Sequence, residues 1–256
     1  MTGIFIIARL GSTRLSQKHL IKAAGKTFIE WLVNRFLKEF ENEIITGVAR
    51  IYITTSDADI TNKKFEKIFA NNKNLTVFYG SDDNIPLRQL QCANANAINN
   101  IISIDGDDIL CSTKGARYVL DALTNGAERA STVNLPLGMN VAGYKTSVLQ
   151  KILSTSKYLK LETGWGRIFE STITEKIFLG GEQSGLRMTL DYPEDSKFFQ
   201  EVIEKLKHTI LTISDEYLIN FIIENKINQI NGKLNDLYWR NFSEQKQQET
   251  IKTDNH

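Results

Sequence analysis

Short runs of apolar, often β-branched residues recur over the first 134 positions of the chain. They occupy residues 4–8, 51–54, 75–79, 101–104 and 131–134. Runs of this length, bounded by turn residues, are typical of strands buried on both faces of a parallel sheet. The pattern therefore predicts a mainly parallel sheet.

Segments with helical spacing separate these runs. Phe28, Leu32 and Phe36 recur every four residues, which places them on one face of a helix. Residues 59–69 and 87–98 predict two further helices. Alternating strands and helices indicate right-handed crossovers, with helices covering both faces of the sheet. We therefore expect an α/β fold.

The 256 residues carry no fixed-period repeat and only three prolines. We therefore expect one domain over residues 1–242, with a small inserted lobe at about 137–181. The last stretch, residues 243–256, is almost wholly polar and predicts a flexible tail.

Charge and cysteine content narrow the class of protein. A formal net charge of +1 argues against nucleic acid as a partner. Apolar runs are far shorter than the ~18 residues of a membrane span, and the first run lacks the basic flank of a signal peptide. We therefore expect a cytoplasmic protein without a membrane partner. Cys92 and Cys111 are too few for a disulfide scaffold, so we expect reduced, buried thiols.

A basic loop follows the first apolar run. It carries Arg9, Gly11, Ser12, Arg14 and Lys18. Open α/β sheets bind ligands at the carboxyl ends of their strands, and arginine and lysine suit polyphosphates. The patterns of a Walker loop and of a dinucleotide fingerprint are both missing. We therefore expect side chains to hold phosphates here; a solvated connecting loop is the alternative.

Carboxylates follow two other predicted strands. One strand leads into Asp105, Gly106 and Asp107, and a strand predicted at 187–190 leads into Asp191. Mg²⁺ is usually held by one or two carboxylates together with substrate phosphates. Asp107 and Asp191 are therefore candidate Mg²⁺ ligands. Turn formation at 105–107 and a helix cap at Asp191 are the alternatives.

Three further positions are candidates for substrate contacts. Arg88 lies on the first turn of a predicted helix, where a solvated face is the alternative. Trp165 and Arg167 stand in a glycine-containing segment and can line a substrate pocket. Core packing is the alternative for Trp165.

Taken in order, these segments resemble the cytidylyltransferases that activate acidic sugars. They are most similar to the branch of spore-coat polysaccharide biosynthesis proteins, relatives of the Kdo and acylneuraminate cytidylyltransferases. The basic loop is similar to that family's A-R-x-G-S-T-R-L-P-G-K-x-L pattern. The matching stretches are ARLGSTRLSQKHL (8–20), GKTFIEW (25–31), GSDDNIPLR (80–88), DGD (105–107), MTLDYPED (188–195) and INQIN (227–231).

The resemblance implies a Rossmann-like nucleotide-diphospho-sugar transferase fold. It also implies an enzyme that uses CTP and Mg²⁺ to convert an acidic or phosphorylated sugar-like acceptor to its CMP- or CDP-linked form, releasing pyrophosphate. The product would enter surface polysaccharide biosynthesis. A homodimer is implied as well, with the lobe at 137–181 serving acceptor binding or dimerisation.

Roles for individual residues follow from the same resemblance. Lys18, Arg14, Asp107 and Asp191 would be catalytic, and the two aspartates would hold the metal. The nucleotide would contact Ala8, Arg9, Leu10, Gly11, Ser12, Arg14, Lys18, Arg88, Asp105 and Gly106, and the anionic acceptor would contact Arg167.

Two departures from the family pattern bear on these roles. Ser16 and Gln17 replace Pro-Gly, and Ile109 replaces a proline. Two other functions therefore stay open. One is a GT-A-type glycosyltransferase that uses a nucleotide sugar, given the DxD pattern at 105–107; the other is a catalytically silent nucleotide-binding homologue. A donor diphosphate does not call for the basic loop, which favours the cytidylyltransferase.

Overall fold

A seven-stranded sheet runs through the protein in this computed structural model, which describes residues 1–11, 14–158, 160–180 and 185–254. The strands, including a separate short hairpin of β2 and β3, are β1 (Thr2–Ile7), β2 (Lys22–Ala23), β3 (Lys26–Thr27), β4 (Ala49–Ser56), β5 (Leu75–Gly80), β6 (Asn100–Asp105), β7 (Arg129–Val133), β8 (Ala142–Lys145) and β9 (Glu175–Phe178). The order in the sheet is β5-β4-β1-β6-β8-β7-β9. Strand β8 runs antiparallel to both neighbours, and the other described pairs of the sheet are parallel. The predicted α/β class is confirmed.

Helices cover both faces of this sheet. The α-helices are α1 (Phe28–Glu39), α2 (Glu41–Ile45), α3 (Lys64–Ile68), α4 (Ile85–Ala95), α5 (Thr113–Thr124), α6 (Thr146–Thr155), α7 (Pro193–Leu206), α8 (Asp215–Glu224) and α9 (Asn235–Asp254). Short 3₁₀ helices lie at Lys18–Leu20, Asp57–Thr61, Trp165–Phe169, Lys207–Leu211, Ile227–Gln229 and Gly232–Leu234. No helix in the described part of the chain combines the length and the apolar character needed to span a membrane.

Helix α1 shows how the sequence builds these layers. Thr27 and Glu30 form a capping box at its start, with the Thr27 N–H donating to Glu30 Oε2 at 2.7 Å. Leu32 and Phe36 are fully buried against the sheet face that carries Ile4 and other even-numbered residues of β1. Odd-numbered residues such as Phe5 pack on the opposite face, beneath α4 and α6.

Two predicted elements are corrected by the structure. Residues 59–69 form a 3₁₀ turn followed by α3, because Lys63 takes a left-handed φ of 51° between them. Residues 187–190 form no strand: their backbone makes an isolated bridge between Arg187 and Leu137 and a hydrogen bond from the Leu190 N–H to the Asp107 carbonyl. This segment is held by loops rather than by a strand ladder.

The segments predicted as a lobe and a tail are built as follows. Strands β8 and β9 of the segment 137–181 join the central sheet. Helix α9 continues through the predicted flexible tail as far as Asp254. Cys92 and Cys111 are buried free thiols, as predicted.

Candidate active site

The basic loop and the first carboxylate cluster leave the sheet side by side. Ile7 at the end of β1 pairs with Asp105 at the end of β6. The Gly106 N–H then donates to the Ile7 carbonyl at 2.8 Å. A Cβ on Gly106 would lie 2.6 Å from that carbonyl, so this close crossing requires glycine. The crossing places Asp107 beside the loop that follows β1.

Lys18 joins the two predicted metal aspartates. Its Nζ lies 2.5 Å from Asp107 Oδ2 and 3.3 Å from Asp191 Oδ1, and donates to the Leu190 carbonyl at 2.8 Å. Burial lowers the pKa of Lys18, but the charges of Asp107 and Asp191 outweigh it and raise the pKa above its ordinary value. The ammonium is therefore a fixed cation between two carboxylates.

Asp191 does not serve as a helix cap. Its Oδ1 accepts a hydrogen bond from Arg14 Nη2 at 2.8 Å, and its Oδ2 accepts one from Arg187 at 3.3 Å. Tyr192 is the residue that precedes α7, and Asp195 accepts the backbone N–H groups of Asp191 and Tyr192 at 3.0 Å each. The Asp191 carboxylate is therefore left to face the basic loop.

A buried ion pair holds Asp191 in this position. Arg187 donates from Nε and Nη2 to the two oxygens of Asp195, at 2.9 and 3.0 Å, and both side chains are fully buried. The Asn231 amide donates to Asp195 Oδ1 at 2.9 Å and to the Arg187 carbonyl at 3.1 Å. The Arg187 guanidinium also lies 4.5 Å from the centre of the Tyr238 ring on α9. These contacts fix the chain on both sides of Asp191.

His19 is a site residue that the sequence reasoning missed. Its Nε2 lies 3.0 Å from Asp107 Oδ1, and the ring is buried. Because a carboxylate only accepts, Nε2 carries the proton of this hydrogen bond. Burial raises the pKa of Asp107, but Lys18 and His19 overcome that effect and hold the pKa below its ordinary value. In the sequence, the position of His19 next to Lys18 was the signal that could have identified it as a site residue.

Burial has the opposite outcome at Asp105. Desolvation and the neighbouring charge of Asp107 raise the pKa of Asp105 to about 6. The indole Nε1 of Trp165 lies 3.4 Å from Asp105 Oδ1. Trp165 is therefore part of the site. This agrees with the interpretation that it lines a pocket, rather than with core packing.

The first residues of the basic loop are anchored to the protein at two points. Arg9 forms an ion pair with Glu162, with N–O distances of 2.5 and 3.0 Å. The Leu10 N–H donates to Asp59 Oδ2 at 3.0 Å, and the Thr55 hydroxyl donates to the same oxygen at 2.6 Å. Asp59 and Glu162 were not identified from the sequence, because each is far along the chain from the loop.

Arg88 is a buried arginine that shapes an adjacent loop. Its Nε donates to the Ser81 carbonyl at 2.7 Å and its Nη2 to the Asp82 carbonyl at 2.9 Å. Burial lowers the pKa of Arg88, and the charge of Arg9 adds to this effect. The exposed-face alternative for Arg88 is therefore wrong.

These groups surround a cavity of about 840 Å³. Of the predicted residues, those that line it are Arg9, Arg14, Lys18, Arg88, Asp105, Asp107 and Asp191. Ala8, Leu10, Gly11 and Gly106 lie beside the cavity without lining it, and Ser12 lies outside the described residues. The sequence did not identify Arg129, Tyr144, Phe169, Tyr238, Phe242 and Gln245, which also line the cavity.

Arg167 is not brought to the cavity. Its guanidinium donates to the carbonyls of Thr163 and Gly164 and lies 5.0 Å from the Tyr158 ring centre. The neighbouring glycines made it a candidate, but Gly164 takes a left-handed φ of 59° beside Phe242 of α9. This turn directs Arg167 back onto its own segment.

A family model for cytidylyltransferases matches residues 4–164, more than half of the chain. The chain belongs to the cytidylyltransferase family. The protein is therefore a nucleotidyltransferase. The matched residues include the basic loop and Asp107. Asp191 and helices α7 to α9 lie beyond the matched residues.

Similar proteins cover almost the whole length of this cytidylyltransferase. An uncharacterized protein of Methanocaldococcus jannaschii is 26% identical over 252 residues, which span 93% of this chain and 98% of the relative. A solved cytidylyltransferase of Leptospira borgpetersenii has a TM-score of 0.75 at 23% identity, covering 89% of this chain and 95% of that one. A CMP:2-keto-3-deoxy-manno-octonic acid synthetase complexed with CTP has a TM-score of 0.61 at 14% identity, covering 80% and 99%. These two likenesses show the shared fold.

The structure gives a physical account of one departure from the family pattern. Ile109, which replaces a proline, is fully buried, and its carbonyl accepts a hydrogen bond from Arg35 at 3.3 Å. The same Arg35 nitrogen donates to the Cys111 carbonyl at 2.7 Å. Core packing and a buried guanidinium therefore fix the turn after Asp107 in this cytidylyltransferase.

The other departure introduces local strain. Gln17 has φ 50° and ψ 32°, a left-handed conformation that costs a residue with a Cβ about 1 kcal/mol. Glycine, which the family pattern has at this point, avoids that cost. Lys64 Nζ donates to the Gln17 side chain at 2.7 Å and holds the loop from outside. Lys64 thus holds the loop at the point where the family pattern has Pro-Gly.

Proposed function

We propose that this cytidylyltransferase transfers a cytidylyl group from CTP to an acidic or phosphorylated sugar-like acceptor and releases pyrophosphate. The observation that carries the proposal is the convergence of Arg14 and Lys18 on Asp107 and Asp191 at one edge of the cavity. Two fixed cations beside two carboxylates suit a triphosphate with its metal ion.

The residues present fit a Mg²⁺ ion. Asp107 and Asp191 each direct one oxygen at the same ammonium, so a cation between them is already accommodated. In the described part of the chain, no group of three or more His, Cys, Asp or Glu could hold a metal. Two carboxylates suffice for Mg²⁺, which takes its other ligands from water and phosphate oxygens. When bound, the ion would neutralise phosphate charge and polarise the α-phosphate.

Lys18 and Arg14 would bind the phosphates. Asp107 and Asp191 would hold the ion, and Lys18 Nζ beside them would donate to the pyrophosphate oxygens. Arg14 would add a planar donor pair on the same side. Because negative charge grows on the departing pyrophosphate, both cations would stabilise the transition state more than the bound substrate.

The remaining chemistry is a matter of positioning. The acceptor oxygen attacks the α-phosphorus, and the bond from that phosphorus to the pyrophosphate oxygen breaks. Arg9, held by Glu162, and Arg88, held by the 81–82 carbonyls, would border the nucleotide. Trp165 and Asp105 would stand between the nucleotide and the acceptor. Fixed groups of this kind accelerate transfer by holding the reactants in line.

We further propose a place for the enzyme among its relatives. The motif resemblance supports the branch of spore-coat polysaccharide biosynthesis proteins, a role in surface polysaccharide biosynthesis and a homodimer. The segment 137–181 supplies Tyr144, Trp165 and Phe169 to the cavity, which supports its role in acceptor binding.

The test is product analysis with each of the four nucleoside triphosphates, Mg²⁺, and a panel of sugar acids and sugar phosphates. We expect pyrophosphate and a CMP- or CDP-linked product with CTP. The matched variants are Asp191→Asn, which should be inactive, and Asp121→Asn on the exposed face of α5, which should match the parent. Release of a nucleoside diphosphate from a nucleotide sugar would indicate a glycosyltransferase. CTP binding without turnover across the panel would indicate a silent homologue.

A further inference from the structure

The cavity extends from the metal aspartates across one face of the sheet to Arg129. Arg129, the first residue of β7, pairs with Tyr144 of β8, which pairs with Ile101 of β6. Directly opposed residues share a sheet face, so Arg129 lies on the face that carries Asp105. Strand spacings put Arg129 about 13 Å before Asp105 along the strands and about 10 Å to the side. Both residues line the same cavity.

Arg129 differs from the other cations of this cavity. Arg9, Arg14 and Lys18 each pair with a carboxylate, and Arg88 donates to two carbonyls. For Arg129, the described residues supply one hydrogen-bond acceptor, the Thr174 hydroxyl at 2.6 Å, and no carboxylate in an ion pair.

Arg129 is half-buried, and one of its donors is kept from water without a partner in the part of the chain that the structure describes. Its Nε is buried with no hydrogen-bond partner among the described residues. The guanidinium lies 4.9 Å from the centre of the Phe169 ring. Burial lowers the pKa of Arg129, as expected for a cation that lacks a carboxylate beside it. A half-buried guanidinium with an unpaired buried Nε and no carboxylate beside it, as found here within the described ranges, favours an anion supplied from outside.

We propose that Arg129 binds the anionic group, a carboxylate or a phosphate, of the acceptor. This inference rests on the proposed function, because it requires that the cavity hold an acceptor beside the nucleotide. A guanidinium has five N–H donors, and a carboxylate or phosphate can accept two of them in parallel. Tyr144, Phe169 and Trp165 form aromatic walls along the path to Asp107.

The position of Arg129 also restricts the size of the acceptor. A ligand that contacts Arg129 and reaches the α-phosphate beside Asp107 has to extend along the cavity. A sugar whose carboxylate or phosphate lies across the ring from the reacting oxygen does so, whereas a simple alcohol, an amine or a sugar acid with its carboxylate on the reacting carbon does not. Arg129 thus assigns the anion of the acceptor to the end of the cavity that is remote from the reacting oxygen.

The test compares charged probes with their uncharged partners by calorimetry. The carboxylate probe is glucuronate, paired with its methyl ester; the phosphate probe is glucose 6-phosphate, paired with glucose. The parent is compared with Arg129→Met, which keeps an apolar stem, and with Arg129→Lys, which keeps the charge. Lys145→Met is the matched control, because Lys145 is a cation on adjacent β8 that donates to the Gly126 carbonyl and does not line the cavity.

We expect the parent to bind at least one charged probe about tenfold or more tightly than its partner. The preferred probe identifies the anion as carboxylate or phosphate. Arg129→Met should lose the preference, Arg129→Lys should keep part of it, and Lys145→Met should keep it whole.

The inference is overturned if the parent shows no preference for charge, or if Arg129→Met retains it. If Arg129→Met does not unfold cooperatively, the parent is compared with Arg129→Lys instead. A charge contact at this residue is contradicted if Arg129→Lys keeps the full preference for the charged probe and a higher salt concentration does not reduce that preference. CTP binding is measured alongside. A parent that does not bind CTP contradicts the proposed function itself. A parent that binds CTP but shows no preference for the charged probes contradicts only the role of Arg129.

Discussion

The ammonium of Lys18 lies 2.5 Å from a carboxylate oxygen of Asp107. The same ammonium reaches Asp191 at 3.3 Å, so one buried cation joins carboxylates that follow two distant segments of the chain. Fixed charges that are already in place need no reorganisation when the substrate reacts. This arrangement is the structural basis of the predictions below.

Removal of either aspartate proposed to hold Mg²⁺ should nearly abolish turnover. We expect Asp107→Asn and Asp191→Asn each to lower kcat by about a hundredfold or more, because the charge that would hold Mg²⁺ is lost. EDTA should do the same to the parent. Steady-state pyrophosphate release measures the effect, and thermal unfolding checks that each variant is folded. Normal turnover in folded Asp191→Asn would exclude it as a metal ligand.

The charge of Lys18 should matter more for the transition state than for CTP binding. We expect Lys18→Met to lower kcat more than it raises the KM for CTP, because charge on pyrophosphate grows as the bond breaks. Lys67→Met is the control, since Lys67 is exposed on α3 and does not line the cavity. An unchanged kcat in Lys18→Met would show that this residue does not act on the phosphates.

The buried pair of Arg187 and Asp195 should support both stability and activity. Asp195→Asn should cost about 3 kcal/mol of unfolding free energy, because it leaves a buried guanidinium short of a counter-charge. Urea unfolding measures this cost. Glu194→Gln, an exposed change in the same helical turn, should cost less than about 0.5 kcal/mol. Equal effects of the two changes would contradict the assigned role of Asp195.

Relief of the strain at Gln17 should stabilise the protein. Gln17→Gly is expected to raise the unfolding free energy by about 0.5–1 kcal/mol, since glycine adopts the left-handed conformation without penalty. Ser16→Gly is the matched control: the neighbouring residue does not have a positive φ, so glycine should only destabilise it. A loss of stability in Gln17→Gly as large as in Ser16→Gly would contradict the account.

The fold and the grouping of Lys18 with Asp107 could be predicted because local sequence determines both. Strands buried on two faces are continuous apolar runs, and the charged residues that follow them must lie at one sheet edge. Asp191 was predicted at the end of a strand as well, but residues 187–190 form no strand, and loop contacts bring Asp191 to the site. The bend at Lys63 could not be predicted, since a left-handed lysine has no signal in the hydrophobic pattern.

The end of the cavity proposed to bind the acceptor could not be predicted, because it depends on which segments cross the sheet. Strand β8 runs against its neighbours and brings Tyr144 beside Arg129, while α9 returns to add Tyr238 and Phe242 to the cavity. Neither placement follows from a local pattern. Arg167 had the more suggestive sequence context, with its neighbouring glycines, yet its guanidinium bonds to carbonyls of its own segment.

The account is tested most directly by calorimetric binding of the four nucleoside triphosphates, with and without Mg²⁺. The proteins compared are the parent and the double variant Asp107→Asn, Asp191→Asn. We predict that the parent binds CTP in preference to the others and about tenfold or more tightly with Mg²⁺. The folded double variant should lose this gain. Preference for another nucleotide, CTP affinity in the parent that does not depend on Mg²⁺, or an undiminished Mg²⁺ gain in the double variant would contradict the account.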